Sequence, residues 1–177
     1  MTGNLRIRQK LGKFRIERRL GQGGFACVYQ AMDTIQGFRV AIKIPHPQFT
    51  TDVVLSTFRR EIRTTHNLEH ENILPIKDAS MIEDRLVIVF PLGQETLHER
   101  LHRRMSLKNA MEIGEQILRA AAHAHSHRVI HCDIKPENVI LFPGNRIRLA
   151  DFGIAKVSQK TIQGSGTGTV GYMAPEQ

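Results

Sequence analysis

The sequence predicts an α+β chain of two lobes, the first built mainly from strands and the second led by helix. Two observations carry this expectation. Before Pro91 the apolar residues fall in short runs rich in β-formers and separated by glycine turns, whereas after Gly93 small and apolar residues recur at helical spacing.

Phe14 to Leu20, Cys27 to Met32 and Phe38 to Ile44 have the composition of strands, and Pro45 and Pro47 stop the third. Leu55, Phe58 and Ile62 then recur at helical spacing behind Asp52 as N-cap, which predicts a helix running to His66. Two more strands are expected at Leu74 to Ala79 and Arg85 to Val89. Beyond the Pro91-Leu92-Gly93 break, Ala110, Gly114, Ile117, Leu118 and Ala121 share a face of one long helix. No repeat or low-complexity segment interrupts this order. A ligand cleft is expected at the junction near Phe90 to Gly93, because clefts between lobes are favoured sites.

The chain has 177 residues, 41% hydrophobic and 24% charged, the balance of a globular protein able to bury a core. No apolar run approaches the roughly 20 residues that span a bilayer, and the first residues lack the apolar stretch of a secretory signal. A cytoplasmic location without a membrane segment in this chain is the expectation. Cys27 and Cys132 are the only cysteines and form no CxxC pair, so neither zinc nor a disulfide framework is suggested. The net charge of +8 raises nucleic acid as a partner. Its basic residues are scattered from Arg6 to Lys160, with no Trp and two Tyr for stacking, so a solvated basic surface is favoured and no nucleic acid is expected.

Chemistry begins at Leu20-Gly21-Gln22-Gly23-Gly24-Phe25-Ala26-Cys27-Val28, a glycine-rich turn between two strands. Glycines let backbone N–H groups approach phosphate oxygens, although glycine hairpins are common for structural reasons alone. The strand that follows the turn argues against a dinucleotide fold, where a helix would follow. In Val40-Ala41-Ile42-Lys43, alternation turns Ala41 and Lys43 to the same side. An inward lysine needs an anion. Glu61, in the helix among Arg59, Arg60 and Arg63, is the carboxylate candidate, its alternative being a solvated helix charge.

His131-Cys132-Asp133-Ile134-Lys135-Pro136-Glu137-Asn138, then Asp151-Phe152-Gly153, then Met173-Ala174-Pro175-Glu176 complete the set. With these, the chain from Phe14 to Gln177 strongly resembles the eukaryotic-type protein kinase family, in the serine/threonine form found also in bacteria. The resemblance implies a protein-kinase-like fold with a complete strand-rich N-lobe at residues 14–89, a hinge at 90–93 and an incomplete helical C-lobe at 94–177. It implies transfer of the γ-phosphoryl group of ATP to Ser or Thr hydroxyls of a protein substrate, with Mg²⁺ as cofactor. The alternative is an inactive nucleotide-binding scaffold.

By the same resemblance, the backbone from Leu20 to Val28 covers the phosphates and Lys43 holds them, kept in place by Glu61. Asp133 is the catalytic base, Lys135 neutralises the transferring group, and Asn138 and Asp151 hold the metal. Thr169 packs in the substrate-facing loop. Val28 and Ala41 grip adenine from one side and Ile140 from the other. An ungapped count through Glu95-Thr96-Leu97 makes Val89 the gatekeeper and Phe90-Pro91-Leu92 the hinge, which puts a proline, without an N–H, close to where a donor to adenine is needed.

Four features depart from the family pattern. Ala26 stands at the third glycine of the lid, and Cys132 replaces the arginine that commonly binds a phosphorylated activation loop. Thr65 stands where an apolar residue usually links the helix to Phe152, predicting a weaker brace. The chain ends just past Glu176, where the family continues through several helices, so Ile117, Leu118, Ile130 and Ile134 are expected to be partly exposed. His123, His125 and His127 have no Cys or Asp neighbours and are expected to be structural.

Overall fold

The computed structural model describes residues 5–24, 26–46, 59, 62, 63, 65–152 and 171–172. The chain divides into two compact units, residues 1–57 with 76–92, and residues 58–75 with 93–177. Residues 58–75, counted with the first lobe on sequence grounds, are therefore part of the second unit.

The first unit is a six-stranded antiparallel sheet in the order β1-β2-β3-β4-β6-β5. Its strands are β1 (Lys10–Leu11), β2 (Phe14–Gln22), β3 (Ala26–Asp33), β4 (Arg39–Pro45), β5 (Asp78–Ile82) and β6 (Arg85–Pro91). Period-two alternation in β3 and β4 sends Cys27, Tyr29, Ala31, Val40, Ile42 and Ile44 to one side, where they pack with Phe14, Ile16, Val87 and Val89. The β3–β4 turn is fixed by Asp33, whose buried carboxylate accepts from the N–H groups of Ile35 and Gln36 and pairs with Lys13 at 3.0 Å. A strand was expected from Leu74, but Ile73 instead bridges Leu149 in the second unit and the strand begins at Asp78. The apolarity of Leu74 and Ile76 reflects burial rather than pairing in this sheet.

The second unit contains a three-stranded sheet of β7 (Glu95–Thr96), β8 (Val139–Phe142) and β9 (Arg146–Leu149). Helix α1 (Leu97–Leu101) starts on a capping box between Thr96 and Glu99. Helix α2 (Leu107–Ser126) starts on Ser106, whose hydroxyl accepts from the Asn109 N–H. Ile113, Ala120 and Ala124 are its buried residues, with Ile117 partly buried against the same core. The face expected from sequence is displaced, because α2 is apolar on more than one side and Leu118 belongs to the exposed one. Gln116 ties α2 to the β8–β9 hairpin, accepting from the N–H of Ile147 and donating to the carbonyl of Asn145. No helix among the described residues is long and apolar enough to cross a membrane.

Candidate active site

In the first unit the glycine-rich segment closes the β2–β3 hairpin. Gly21 pairs with Val28 and Gln22 with Cys27, and the Gly23 N–H donates to the Ala26 carbonyl at 2.9 Å. Leu20, Gly21, Gln22, Gly23 and Gly24 are exposed, while Ala26 and Cys27 are buried. A Cβ at Gly21 or Gly24 would meet nothing within 4 Å, and neither residue has a positive φ. Among the described residues, then, no packing demands glycine at these two positions. His46, which no sequence motif marks, donates from Nε2 to the Gly23 carbonyl at 2.9 Å and ties the turn to the end of β4.

Register decides which side chains share a face, since directly opposed residues point the same way. Lys43 opposes Val28 on β3 and Ile88 on β6, and Ala41 opposes Phe90. Val28, Ala41 and Lys43 therefore lie on one face, as expected, together with Ile88 and Phe90. Val89 does not join them. It opposes Ile42 and packs with it in the core on the reverse face. A slip of one residue moves a side chain across the sheet, and the count from Glu95-Thr96-Leu97 could not detect it. Leu92 is half-buried. Glu61 and Phe25 lie outside the described residues.

In the second unit the loop from His131 to Asn138 is held by hydrogen bonds of the buried His131 and Asn138 side chains. His131 donates from Nε2 to the Ala150 carbonyl at 2.8 Å and accepts from the Asp133 N–H at Nδ1, 3.2 Å away. Its ring packs edge-on to Phe152. One donating and one accepting nitrogen require neutral imidazole. Burial pushes the His131 pKa below its ordinary value, against opposing effects of the Ala150 carbonyl, Asp151 and Asp133.

The 3₁₀ turn Pro136–Asn138 returns the chain toward Asp133. Asn138 Nδ2 donates to the Asp133 carbonyl at 2.8 Å and to its Oδ2 at 3.1 Å, and Lys135 Nζ lies 2.9 Å from the same Oδ2. The Asn138 carbonyl accepts from the Ala150 N–H at 2.7 Å, which places Asp151 beside this loop. Asp151 has φ +64° and Cys132 φ +64°, left-handed conformations that cost a non-glycine residue on the order of 1–3 kcal/mol. Thr65, buried, donates to the Phe152 carbonyl at 3.2 Å, so a hydrogen bond stands where a weaker brace was expected.

Asn138 commits its side-chain nitrogen Nδ2 to Asp133, so its side-chain oxygen Oδ1 is the atom that could face a cation, and the Asp151 carboxylate could be a second oxygen ligand. Two such oxygen ligands would suit a hard cation such as Mg²⁺. Ile140 on β8 is half-buried, with Cγ2 only 2.2 Å from where a Cβ on Gly93 would stand. His123 stacks between His70 and His127, with ring centroids 4.8 and 4.4 Å apart, in a packed array. Thr169 lies outside the described residues, as do Gly153 and Met173 to Glu176.

Residues 14–177 match the protein kinase domain family. The chain is 38% identical to a probable serine/threonine-protein kinase PknB of Lactococcus lactis, over 93% of this chain and 28% of that protein. It is 39% identical to the serine/threonine-protein kinase PrkC of Bacillus subtilis, over 94% of this chain and 27% of that protein. Against the serine/threonine-protein kinase PknA of Mycobacterium tuberculosis it is 34% identical, over 94% of this chain and 41% of that protein. The chain thus spans between about a quarter and two-fifths of the length of these relatives. With its glycine turn, Lys43 on the face shared with Val28 and Ala41, and the Asp133–Lys135–Asn138 cluster, the chain belongs to the protein kinase domain family.

Proposed function

We propose that the protein transfers the γ-phosphoryl group of Mg·ATP to Ser or Thr hydroxyls of a protein substrate, and that it does so in the cytoplasm, without nucleic acid as a partner. The observation that carries this reading is the convergence of Lys135 and Asn138 on Asp133 Oδ2. With Oδ2 so engaged, Oδ1 of Asp133 accepts the substrate hydroxyl proton and aims its oxygen at phosphorus. Lys135, within ion-pair distance of that carboxylate, neutralises charge on the transferring group. Asn138 and Asp151 would hold Mg²⁺, which supplies charge neutralisation for the phosphates when bound.

In the first unit, the backbone of the Gly21–Gly24 turn covers the phosphates. The open space where Cβ atoms would stand at Gly21 and Gly24 supports this, because a ligand approaching the backbone needs that room. Lys43 holds the phosphates and Val28 and Ala41 contact adenine, while Glu61 and Ile140 keep the roles that the family resemblance implies. Phe90, opposite Ala41, replaces Val89 as gatekeeper. The hinge then moves to Pro91-Leu92-Gly93. Pro91 falls where only a carbonyl is needed, and Gly93 supplies the N–H.

A scaffold that acts by contact alone is not favoured, since its relatives carry kinase names and none of the expected catalytic side chains is replaced. The test is phosphotransfer from Mg·ATP to a Ser/Thr substrate by the full-length protein and its Asp133→Asn variant. Transfer by the parent and loss of about 10²–10⁴-fold in the variant, with ATP binding retained, is expected. Near-normal transfer by Asp133→Asn would sink the assignment.

A further inference from the structure

We infer that Thr65 is a positioning residue for Asp151: its hydroxyl, bonded to the carbonyl of the next residue, Phe152, anchors the backbone one residue beyond Asp151 and so helps to hold Asp151 in its left-handed conformation, with its carboxylate in place. The inference rests on the phosphotransfer reading above and concerns the same site.

A left-handed aspartate is not a resting preference of the chain and has to be held from both sides. On the N-terminal side the Ala150 N–H donates to the Asn138 carbonyl at 2.7 Å, and the Ala150 carbonyl accepts from His131 Nε2 at 2.8 Å. On the C-terminal side the anchor is Thr65 Oγ1, 3.2 Å from the Phe152 carbonyl. Thr65 is 7% exposed and Phe152 2%, so water does not compete for this bond.

A helical threonine commonly returns its hydroxyl to a carbonyl three or four residues earlier. Thr65 lies among helical residues, and its hydroxyl reaches instead to a carbonyl 87 residues away in sequence. An apolar residue of the same shape would fill the same volume. The hydroxyl adds a directional tie from the segment of helical residues Ile62, Arg63 and His66 to the Phe152 carbonyl. A shift of this segment therefore pulls on Phe152 and turns the carboxylate of Asp151 relative to Asn138.

Thr65→Val keeps the shape and removes the hydroxyl, and Thr65→Ser keeps the hydroxyl. Affinity for a fluorescent ATP analogue is titrated for the full chain and both variants, with Mg²⁺ and with EDTA, alongside the Mg²⁺ concentration for half-maximal phosphotransfer. Thr65→Val is expected to cut the Mg²⁺-dependent gain in affinity by about tenfold, to leave affinity in EDTA unchanged, and to be largely rescued in Thr65→Ser. Wild-type Mg²⁺ dependence in Thr65→Val overturns the inference. Equal weakening in Mg²⁺ and EDTA overturns it too, since that marks a packing role, and so does a Thr65→Ser variant that behaves like Thr65→Val. A parent that binds Mg·nucleotide but transfers no phosphate defeats the phosphotransfer reading alone, because the titration needs no turnover. Absence of any Mg²⁺-dependent nucleotide binding defeats both.

Discussion

The side-chain amide of Asn138 donates to Asp133 twice, to the backbone carbonyl at 2.8 Å and to Oδ2 at 3.1 Å. One residue therefore closes the loop that carries the proposed base and also fixes that base's rotamer, while its side-chain Oδ1 is the atom proposed to face a cation. Asn138→Asp keeps the size but replaces a donor with a second carboxylate facing Oδ2. It should lower kcat by at least about a hundredfold, because loss of positioning at the reacting group has that scale. Asn138→Ala should lose the proposed Mg²⁺ ligand and the clamp together, raising the Mg²⁺ requirement as well. Steady-state kinetics across a Mg²⁺ series separates the two, and an Asn138→Asp variant with parental kcat would remove Asn138 from this role.

The buried imidazole of His131 makes stability depend on pH. Burial holds its folded pKa below the unfolded value of about 6.5, so the unfolded chain takes up the proton first as pH falls. Its contribution is fully present above about pH 6.5 and is lost as pH drops through that value toward the folded pKa. His123 is shifted the same way, by burial and by His127 and His70, and adds to the same slope. His131→Phe should melt lower than the parent at about pH 7.5, having lost two hydrogen bonds, yet show a shallower decline of Tm between about pH 7 and 5. Parallel Tm curves for parent and variant would place the titrating group elsewhere.

Gly93 is required by proximity rather than by backbone angle. A Cβ there would stand 2.2 Å from Ile140 Cγ2 and 2.9 Å from the Leu141 carbonyl oxygen, and the Gln94 N–H already donates to that oxygen at 2.8 Å. Gly93→Ala should destabilise the second unit by about 1–3 kcal/mol, the usual scale of overpacking. Adding Ile140→Ala removes the closer contact but not the carbonyl, so the double variant should recover part of the loss. Urea denaturation of the double-mutant cycle reads this coupling directly, and strict additivity would contradict it.

Legibility of the fold followed the range of the interactions involved. β2, β3, β4 and β6 were predictable because alternation and glycine turns are local, and their observed bounds differ from expectation by two residues or fewer at each end. The loop around Asp133 was visible as a motif. Val89 was not placed correctly, because facing in a sheet depends on pairing with β4, which spacing along the chain does not encode. Leu74 and Ile76 resembled strand residues for the same reason, since burial and pairing leave one apolar signature. His46 and Thr65 act through single hydrogen bonds to distant carbonyls, and no pattern in a sequence marks such a bond. The helix face was misjudged because two apolar stripes lie side by side on α2.

The second of those stripes carries the last prediction. Leu107, Met111 and Leu118 recur at helical spacing along α2 and are 79%, 67% and 70% exposed, and Ile130 and Ile134 are exposed in the same unit. Each large apolar side chain kept in water forgoes about 1.5–3 kcal/mol of burial energy, so any surface that covers the stripe gains several kcal/mol. Residues 1–177 prepared alone should therefore self-associate at micromolar concentrations, as exposed contiguous apolar surface does. Met111→Lys with Leu118→Lys removes the driving force without disturbing the core, which uses Ile113, Ala120 and Ala124 on another face. Lysine, methionine and leucine have similar helix propensities, so Tm should stay within about 2 °C of the parent, as expected for surface changes worth under about 0.5 kcal/mol. Size-exclusion chromatography with light scattering should show a mixture for the parent and mostly monomer for the double variant. If instead the parent were monodisperse, or the variant lost cooperative melting, the stripe would be neither sticky nor separate from the core.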